Sequence, residues 1–373
     1  MEFPRLAQFI YSLCGSLLPG GDVRVYRGGE PLLKYFCGCS DEENDVPVNG
    51  KELYLGYSVT KLMTVVCALR ACEDGLLNLN APLSEYMPEF AHMRVKDARG
   101  NAELPLKTPI LVRHLLTMSA GFGADMAFAQ GRDTLSAVRA LAKQPLLCEP
   151  GTHWIYGVCH DVLGAVLECV YGIRLREIFA KLLYAPLGLS NTRFLSEIRD
   201  ISEIAPLYKA KNGTYERVAL DYTYAPSPAY DSGGAGIVTC AEDYSRFLDA
   251  LASGKLLRPE TLRILRADCL SPDMRRDFNW PQCRGYSFGL GLRVPPKPAD
   301  NETHARARAA GGDLLPDGAA VRDCGWGGAA GAYTLIDFET RTSLCFFAHV
   351  LGADETLLHL GIRDAFYADM RSK

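Results

Sequence analysis

A serine and a lysine three residues apart, Ser58 and Lys61, form the pair whose types and spacing most favour chemistry. They lie in the stretch Tyr57-Ser58-Val59-Thr60-Lys61, where the chain enters a predicted helix over residues 59–74. Residues three apart share one helix face, so the lysine amine can reach the serine hydroxyl. Burial disfavours the charged form of an amine, so a buried lysine can accept the serine proton. Backbone N–H groups at the helix N-terminus can stabilise an oxyanion. The Ser–Lys pair and these N–H groups together favour attack of Ser58 on a carbonyl.

The same pair has a plain structural interpretation, because a serine at a helix start is most often an N-cap. A lone S-x-x-K also occurs about once by chance in a chain of this length. The sequence has no G-x-S-x-G nucleophile elbow, no P-loop and no H-E-x-x-H. The seven histidines are dispersed, and His160-Asp161 at a predicted helix start is typical of a helix cap. The pattern therefore predicts neither a metal ion nor a cofactor.

The elements that must position Ser58 and Lys61 follow from periodicity. An apolar stripe over 59–74 that ends at Gly75 predicts the helix that carries them. Alternation over 21–27 and 31–38 predicts a β-hairpin. Further helices are predicted at 6–18, 109–118, 134–144, 160–171, 174–184, 241–253 and 353–371, and strands at 286–294, 331–338 and 342–350.

Strand-like segments at both chain ends, with helices between them, predict an α+β fold. One antiparallel sheet built from both ends is expected to be flanked by helices and to carry an inserted, mostly helical lobe. We expect a single domain over 1–373, with a sheet subdomain at about 1–57 plus 280–373 and the lobe at about 58–279. Residues 295–318, rich in Pro, Ala, Gly and charge, are expected to form an exposed loop.

Composition limits the partners. The chain has 373 residues, 48% of them hydrophobic, which is enough for a large core. The 40 basic and 44 acidic residues leave a net charge of −4, without the basic surplus of a nucleic-acid binder. No apolar run approaches the ~20 residues that span a bilayer, so no membrane partner is expected.

The cysteines and the N-terminal segment indicate a compartment. The thirteen cysteines are scattered, with no C-x-x-C and no zinc-site spacing, which predicts buried thiols in a reducing environment. The apolar run at 6–18 is interrupted by polar residues and is followed by no A-x-A site, so it reads as a helix of the fold rather than a signal peptide. These features predict a cytoplasmic protein.

The Ser58–Lys61 motif is the first part of a longer pattern of five segments in a fixed order along the chain. Residues 54–90 read YLGYSVTKLMTVVCALRACEDGLLNLNAPLSEYMPEF. They are followed by PILVRHLLTMSAGF (109–122), EPGTHWIYGVCHDVLGAVLE (149–168), DSGGAGIVTCAEDYSRFLDAL (231–251) and GWGGAAGAYTLIDFET (325–340). Together they resemble the β-lactamase-related serine hydrolases, which include class C β-lactamases, D-alanyl-D-alanine carboxypeptidases and esterases of the same fold. The resemblance implies the β-lactamase/transpeptidase-like form of the α+β fold.

The resemblance implies roles for the matching positions. Ser58 matches the acylated nucleophile, Lys61 its activating partner, and Tyr156 the general base and acid. Without the surrounding block, Tyr156 would be interpreted as a buried structural tyrosine. The backbone N–H groups of Ser58 and Ala329 are implied as the oxyanion hole.

A glycine-rich triplet implies the substrate-binding strand. Trp326, Gly327 and Gly328 match the family's K-T-G or H-x-G triplet. His359-Leu360-Gly361 also reads H-x-G, but it falls in the predicted terminal helix, and we interpret it as a coincidence.

Three positions depart from the β-lactamase pattern. Val158 stands where the family's Y-x-N has a substrate-contacting asparagine, so the resemblance implies that it belongs to the substrate-binding residues, but it cannot hydrogen-bond a substrate amide. Trp326 replaces the cation of K-T-G and offers an apolar wall instead. Both changes weaken recognition of an amide that bears a carboxylate, and both resemble the esterase branch. The segment Met118-Ser119-Ala120-Gly121 replaces H-T-S-G, and the sequence assigns it no clear role.

The sequence therefore predicts a serine hydrolase that forms an acyl-Ser58 intermediate and acts on a small-molecule ester or amide, most like a carboxylesterase. An alcohol or amine in place of water makes the protein an acyltransferase. A β-lactamase or D-amino-acid peptidase keeps the same acyl chemistry, but the missing asparagine and lysine argue against it. The retained Ser58, Lys61 and Tyr156 argue against a non-catalytic binding module. The oligomeric state is not indicated.

Overall fold

The computed structural model describes residues 3–97, 100, 102–297 and 321–371. Most of the segment 295–318, expected to be an exposed loop, lies outside the described residues. The helices are α1 (Pro4–Leu13), α2 (Thr60–Glu73), α3 (Val112–Leu116), α4 (Thr134–Leu141), α5 (Cys159–Tyr171), α6 (Leu175–Phe179), α7 (Ala185–Leu187), α8 (Ala241–Ala252), α9 (Pro259–Leu265), α10 (Pro272–Asp277) and α11 (Glu355–Arg371).

The described residues form the following strands: β1 (Gly20–Arg27), β2 (Glu30–Asp41), β3 (Val46–Pro47), β4 (Tyr54–Leu55), β5 (Arg94–Lys96), β6 (Glu103–Pro105), β7 (Arg193–Phe194), β8 (Leu207–Lys211), β9 (Thr214–Val218), β10 (Ile237–Thr239), β11 (Ser287–Phe288), β12 (Arg293–Val294), β13 (Gly327–Gly328), β14 (Ala332–Asp337), β15 (Thr342–Phe347) and β16 (Val350–Leu351). Six of them form the main sheet.

The main sheet joins the two ends of the chain. Its order is β13-β14-β15-β1-β2-β3, and every neighbouring pair is antiparallel. The junction between the ends is the β1–β15 pair, where Val23 faces Phe346 and Val25 faces Leu344. The predicted α+β architecture, with one antiparallel sheet built from both chain ends, is confirmed.

Helices cover both faces of this sheet, which explains why β14 and β15 are buried along their whole length. On one face, Arg24 and Tyr26 of β1 bond to Glu242 at the start of α8. On the other face, α1 packs against β1, β2 and α11. The helix α2 is apolar on nearly all sides and lies buried against α5 and α6, as expected for a helix at the centre of a core.

Several predicted elements differ from the structure. The predicted strand 286–294 is wrong: Ser287–Phe288 and Arg293–Val294 pair with each other as a short hairpin. Two glycines turn the chain between them, and Gly291 has a φ of +78°, a conformation that suits glycine. The predicted helix 6–18 ends at Leu13. The predicted helix 174–184 divides into α6, a π-turn over Ala180–Tyr184, and α7.

The segment 58–279, predicted to be a mostly helical lobe, also contains a hairpin that was not predicted from the sequence. Strands β8 and β9 pair around Asn212-Gly213, whose φ angles are +51° and +80°. An Asn-Gly dipeptide between alternating segments is a strong signal for a two-residue hairpin and was available in the sequence. Within the described ranges, no helix has the length and apolar character needed to cross a membrane.

Candidate active site

Ser58 lies in a single 3₁₀ turn, Tyr57–Val59, between β4 and α2. The residue before it, Tyr57, has a φ of +45°, a strained conformation for a residue with a side chain. Thr60 holds this turn: its hydroxyl donates to the Tyr57 carbonyl at 2.6 Å and accepts the Ile237 N–H at 3.2 Å. The Ser58 side chain is consequently presented half-buried at the start of α2.

Lys61 lies one helical turn beyond Ser58, as the i, i+3 spacing predicts. Its Nζ donates to Ser58 Oγ at 3.1 Å and to the Gly234 carbonyl at 2.8 Å, and the residue is only 4% exposed. Thr64, on the same face of α2, donates to the neighbouring Gly233 carbonyl at 2.6 Å. The Gly233-Gly234 loop therefore fixes the amine over the serine.

Tyr156 completes the group around the serine oxygen. Its hydroxyl donates to Ser58 Oγ at 2.7 Å, and the Lys61 Nζ lies 4.6 Å from the centroid of its ring. The structure thus brings together the three residues that the sequence assigned to catalysis, although Tyr156 is 98 positions from Ser58.

Trp326 differs from the apolar wall predicted for it. The indole Nε1 donates to the Tyr156 hydroxyl at 3.0 Å, so the side chain is both a wall and a hydrogen-bond donor. A second tryptophan, Trp280, packs edge-on against Tyr156 with ring centroids 4.9 Å apart and lies 5.9 Å from Trp326. Trp280 belongs to none of the five motif segments, so no sequence signal pointed to it.

The strand Gly327–Gly328 lies at the edge of the main sheet and against the turn that carries Ser58. A Cβ on Gly328 would meet the Gly56 carbonyl oxygen at 2.6 Å, so only glycine permits this approach. Ala329 follows directly, is exposed, and lines the same cavity as Ser58. Ser58 and Ala329, whose N–H groups are predicted to form the oxyanion hole, therefore border the same cavity.

A cavity of about 350 Å³ opens at Ser58. Its lining combines aromatic, glycine and polar residues: Ser58, Tyr156, Trp280, Pro281, Gln282, Cys283, Arg293, Trp326, Gly327, Gly328, Ala329, Glu355 and His359. His359, interpreted as a coincidence in sequence, does lie in the terminal helix α11, yet it contributes to this lining.

Val158, predicted to contact substrate, lies elsewhere. It is 3% exposed, packs in the hydrophobic core, and is not part of the cavity lining. Its N–H donates to the Gly123 carbonyl at 3.0 Å, and its own carbonyl accepts the Asp161 N–H at the start of α5. The residue acts locally as the N-cap position of α5, which accounts for its burial.

Asp161 is a buried acid close to Lys61. Its carboxylate accepts hydrogen bonds from Ser232 Oγ at 2.6 Å and Tyr230 Oη at 3.0 Å. Burial raises the pKa of this carboxyl, and the charge of Lys61 acts in the opposite direction. The sequence predicts a helix cap at His160-Asp161. Asp161 does lie in the first turn of α5, but its side chain bonds to Ser232 and to the backbone of Gly234, the residue whose carbonyl holds Lys61.

No group of three or more His, Cys, Asp or Glu side chains that could hold a metal ion occurs among residues 3–97, 100, 102–297 and 321–371.

The comparison with protein families gives a match to the family described as beta-lactamase over residues 16–366. The chain belongs to this family. The esterase EstB of Burkholderia gladioli is 30% identical over 399 residues, which cover 97% of this chain and 94% of that protein. The acyltransferase calJ of Penicillium decumbens is 29% identical over 327 residues, with 78% of this chain and 74% of that protein covered.

Solved structures agree with this assignment. EstCE1, described as a hydrolase with promiscuous acyltransferase activity, superposes with a TM-score of 0.80 at 26% identity, covering 97% of each chain. A mutant of simvastatin synthase from Aspergillus terreus has a TM-score of 0.78 at 23% identity, covers 99% of this chain and 97% of that chain, and supports the fold alone. The predicted β-lactamase-like fold is confirmed, and the protein is a serine hydrolase of the esterase-like kind.

Proposed function

We propose that the protein hydrolyses small carboxylic esters through an acyl-Ser58 intermediate. The observation that carries this proposal is the convergence of two proton-carrying groups on one oxygen: Lys61 Nζ at 3.1 Å and Tyr156 Oη at 2.7 Å from Ser58 Oγ. A nucleophile with an adjacent base, opening onto a cavity, is the arrangement that covalent catalysis needs.

In the first half of the reaction, Tyr156 acts as a phenolate, its hydroxyl proton having been released to solvent. Ser58 Oγ attacks the ester carbonyl and gives its own proton to the phenolate oxygen. Negative charge on the phenolic oxygen is stabilised by the indole N–H of Trp326 at 3.0 Å and by the nearby Lys61 amine. The N–H groups of Ser58 and Ala329 stabilise the tetrahedral oxyanion. Tyr156 then returns the proton to the departing alcohol, which leaves acyl-Ser58.

In the second half, a water molecule takes the place of the alcohol. Tyr156 accepts a proton from the water as it attacks the acyl carbon, and the proton returns to Ser58 Oγ as the acid departs. The same groups serve both halves because the two half-reactions are chemically reversed.

Esters fit the site better than β-lactams do. The position where the β-lactamases hold a substrate carboxylate carries Trp326, which has no charge. The neighbouring cavity cation, Arg293, is already engaged, since its Nη2 donates to Asp323 at 3.1 Å and to Tyr333 Oη at 2.7 Å. The names of the relatives EstB and lovastatin esterase also favour an ester as substrate.

Acyl transfer to an alcohol is a second candidate. It uses the same acyl-Ser58 and differs only in the nucleophile of the second half. The similarity to the acyltransferase calJ and to EstCE1, a hydrolase with promiscuous acyltransferase activity, favours it. Adding an alcohol such as butanol to an esterase assay separates the two: a transferase gives the new ester at the expense of the free acid.

The reactivity of Ser58 is tested by measuring the mass of the intact protein after treatment with an organophosphonate. We expect one phosphonyl adduct on the wild-type protein and none on Ser58→Ala, with the adducted peptide containing residue 58. An unmodified wild-type protein that also hydrolyses no ester would overturn the proposal.

We further propose that the chain acts as one catalytic domain in the cytoplasm. The single-domain assignment is supported by the site itself, which takes Ser58 and Tyr156 from the lobe and Trp326 from the sheet subdomain. The cytoplasmic assignment is supported by the cysteines, all thirteen of which are free thiols.

A further inference from the structure

We infer that the polar wall of the cavity, formed by Gln282, Arg293, Glu355 and His359, binds a hydroxyl group of the substrate, with His359 Nε2 as the acceptor. This inference rests on the proposed ester hydrolysis and adds a substrate class to it: esters that carry a free hydroxyl near the reacting carbonyl.

The polar wall adjoins strand β13, Gly327–Gly328. His359, on α11, lies so close to Gly327 that a Cβ there would meet the imidazole Cε1 at 2.7 Å and Nε2 at 3.2 Å. Ala329, the implied oxyanion donor, follows two residues later and lines the same cavity. A substituent near the ester carbonyl is therefore within reach of the histidine.

The imidazole of His359 is neutral. Burial, with a contribution from the charge of Arg293, lowers its pKa to about 3, so the ring carries one proton at neutral pH. One ring nitrogen hydrogen-bonds to the backbone of Ala332, an interaction that raises the pKa of the ring and therefore involves a protonated nitrogen. Nε2 has no partner among the described residues. The proton is thus assigned to Nδ1, and Nε2, buried against Gly327, keeps a lone pair without a donor.

Packing explains the ring of His359 but not this nitrogen. The imidazole stacks at a tilt on Tyr333, with ring centroids 4.7 Å apart, and the residue is 5% exposed. A purely structural role at this position is served equally well by an apolar ring. A buried acceptor without a donor is unfavourable until a ligand supplies one.

The charges of the wall favour a neutral donor over an ion. A carboxylate would face the lone pair of His359 and the carboxyl of Glu355, while the cation of Arg293 is already paired with Asp323. An ammonium would face Arg293. A hydroxyl donates to His359 Nε2 and can accept from the amide of Gln282, whose Nε2 already donates to Glu355 at 2.5 Å.

Matched ester pairs test this inference. The acyl arm compares p-nitrophenyl 3-hydroxybutyrate with p-nitrophenyl butyrate, and the alcohol arm compares 2-hydroxyethyl butyrate with propyl butyrate. We expect the hydroxylated member to have the higher kcat/KM in one arm, by about tenfold, the usual scale for a hydrogen bond to a buried partner. The arm that responds identifies which part of the ester contacts the wall.

The variant His359→Phe keeps an aromatic ring and removes the acceptor. It should abolish the hydroxyl preference and change kcat/KM for the unsubstituted esters much less. The control His92→Phe, at an exposed histidine outside the cavity lining, should keep the wild-type preference.

Three results separate the possibilities. A wild-type enzyme that hydrolyses plain esters with no hydroxyl preference in either arm overturns the inference and leaves the proposed function intact. A preference that survives His359→Phe also overturns the assignment of the acceptor. A wild-type protein that hydrolyses none of the four esters overturns the proposed function itself. If His359→Phe does not fold, the wild-type ratios alone decide.

Discussion

The indole of Trp326 and the hydroxyl of Tyr156 form a hydrogen bond of 3.0 Å between residues 170 positions apart. The bond joins the glycine-rich strand at the edge of the sheet to the proposed general base in the lobe. Since Tyr156 Oη also reaches Ser58 at 2.7 Å, the tryptophan acts on the nucleophile through the tyrosine. A residue that the sequence suggests as a wall for substrate is thus placed to tune the base.

This bond predicts the effect of Trp326→Phe, which keeps an aromatic wall and removes the N–H. We expect kcat for a p-nitrophenyl ester to fall by about tenfold, because negative charge on the phenolic oxygen loses a donor. The control Trp280→Phe, whose side chain meets Tyr156 through a ring edge at 4.9 Å and donates no hydrogen bond to it, should keep kcat close to the wild-type value. Equal losses of kcat in the two variants would contradict the proposed role of the indole N–H.

Lys61 and Tyr156 should act as one unit, because both contact the same Ser58 oxygen. Each single change, Lys61→Ala or Tyr156→Phe, is expected to lower ester hydrolysis by ~10²-fold or more. The double variant should be little worse than either single variant, as in other coupled catalytic groups. Near-full activity in a folded Tyr156→Phe protein, or losses that multiply in the double variant, would exclude the shared mechanism.

The local part of this site could be predicted from the sequence and the distant part could not. The Ser58–Lys61 contact follows from helix spacing alone, since residues three apart share a face. Tyr156 was reached only through the resemblance of its segment, because periodicity does not tell which loop faces which helix. The bond from Trp326 and the approach of His359 to Gly327 depend on how the sheet edge and α11 pack, and no local pattern encodes this.

The fold, too, has features that could be predicted from the sequence and features that could not. The two-ended sheet followed from strand-like segments at both termini, whereas the strand predicted at 286–294 was wrong because its two glycines turn the chain. Val158 occupies the expected sequence position beside Tyr156, but the local cap geometry of α5 directs it into the core.

Asp161 is expected to position Lys61 at a cost in stability. Burial raises the pKa of its carboxyl, which means that the folded protein holds the charge unfavourably, and Lys61 lies close enough to offset part of this. Asp161→Asn keeps an oxygen that can accept from Ser232 and removes the charge. We expect its Tm to be unchanged or higher, while kcat falls by about tenfold.

A merely structural Asp161 gives the opposite pattern, with stability and activity falling together. Thermal unfolding and ester kinetics on the same preparation distinguish the two. Asp133→Ala, which removes the side chain that caps α4 and does not line the cavity, serves as a control that lowers Tm and leaves kcat unchanged.

His349 predicts a loss of stability in mild acid. Its Nδ1 bonds to the Pro206 carbonyl at 2.9 Å and its Nε2 accepts the Leu55 N–H at 3.2 Å, so the buried ring is neutral. Burial lowers its pKa from 6.5 to about 4. As the pH falls from about 6.5 to about 4, His349 binds a proton in the unfolded chain but stays neutral in the folded chain. The stability that this residue contributes above about pH 6.5 is therefore lost toward about pH 4.

The size of this effect is about 1.4 kcal/mol for each unit of pKa difference, so His349 alone contributes a few kcal/mol at most. His114, whose burial lowers its pKa to about 4, adds to the same slope. Urea unfolding at a series of pH values measures the dependence, and His349→Gln, which can keep both hydrogen bonds without titrating, should flatten it. An unchanged slope in that variant would show that other groups are responsible.

Substrate choice gives the last prediction: short-chain aryl esters should turn over, and penicillins and cephalosporins should be poor substrates. A β-lactam carries a carboxylate that needs a cation or hydroxyl beside strand β13, where this protein has Trp326. It also carries a side-chain amide that needs a partner near Tyr156, and Val158 is buried in the core instead. An amide left without a partner costs about 1–3 kcal/mol, and an unpaired carboxylate costs more. Together these lower transition-state binding by roughly 10²-fold or more, since ~1.4 kcal/mol corresponds to a factor of ten. A small neutral ester bears neither group and suffers neither loss. Comparing kcat/KM for p-nitrophenyl butyrate and nitrocefin, with active sites counted by the organophosphonate, checks the prediction. A clear preference for nitrocefin would refute the esterase assignment and favour a β-lactamase with the same acyl-Ser58 chemistry.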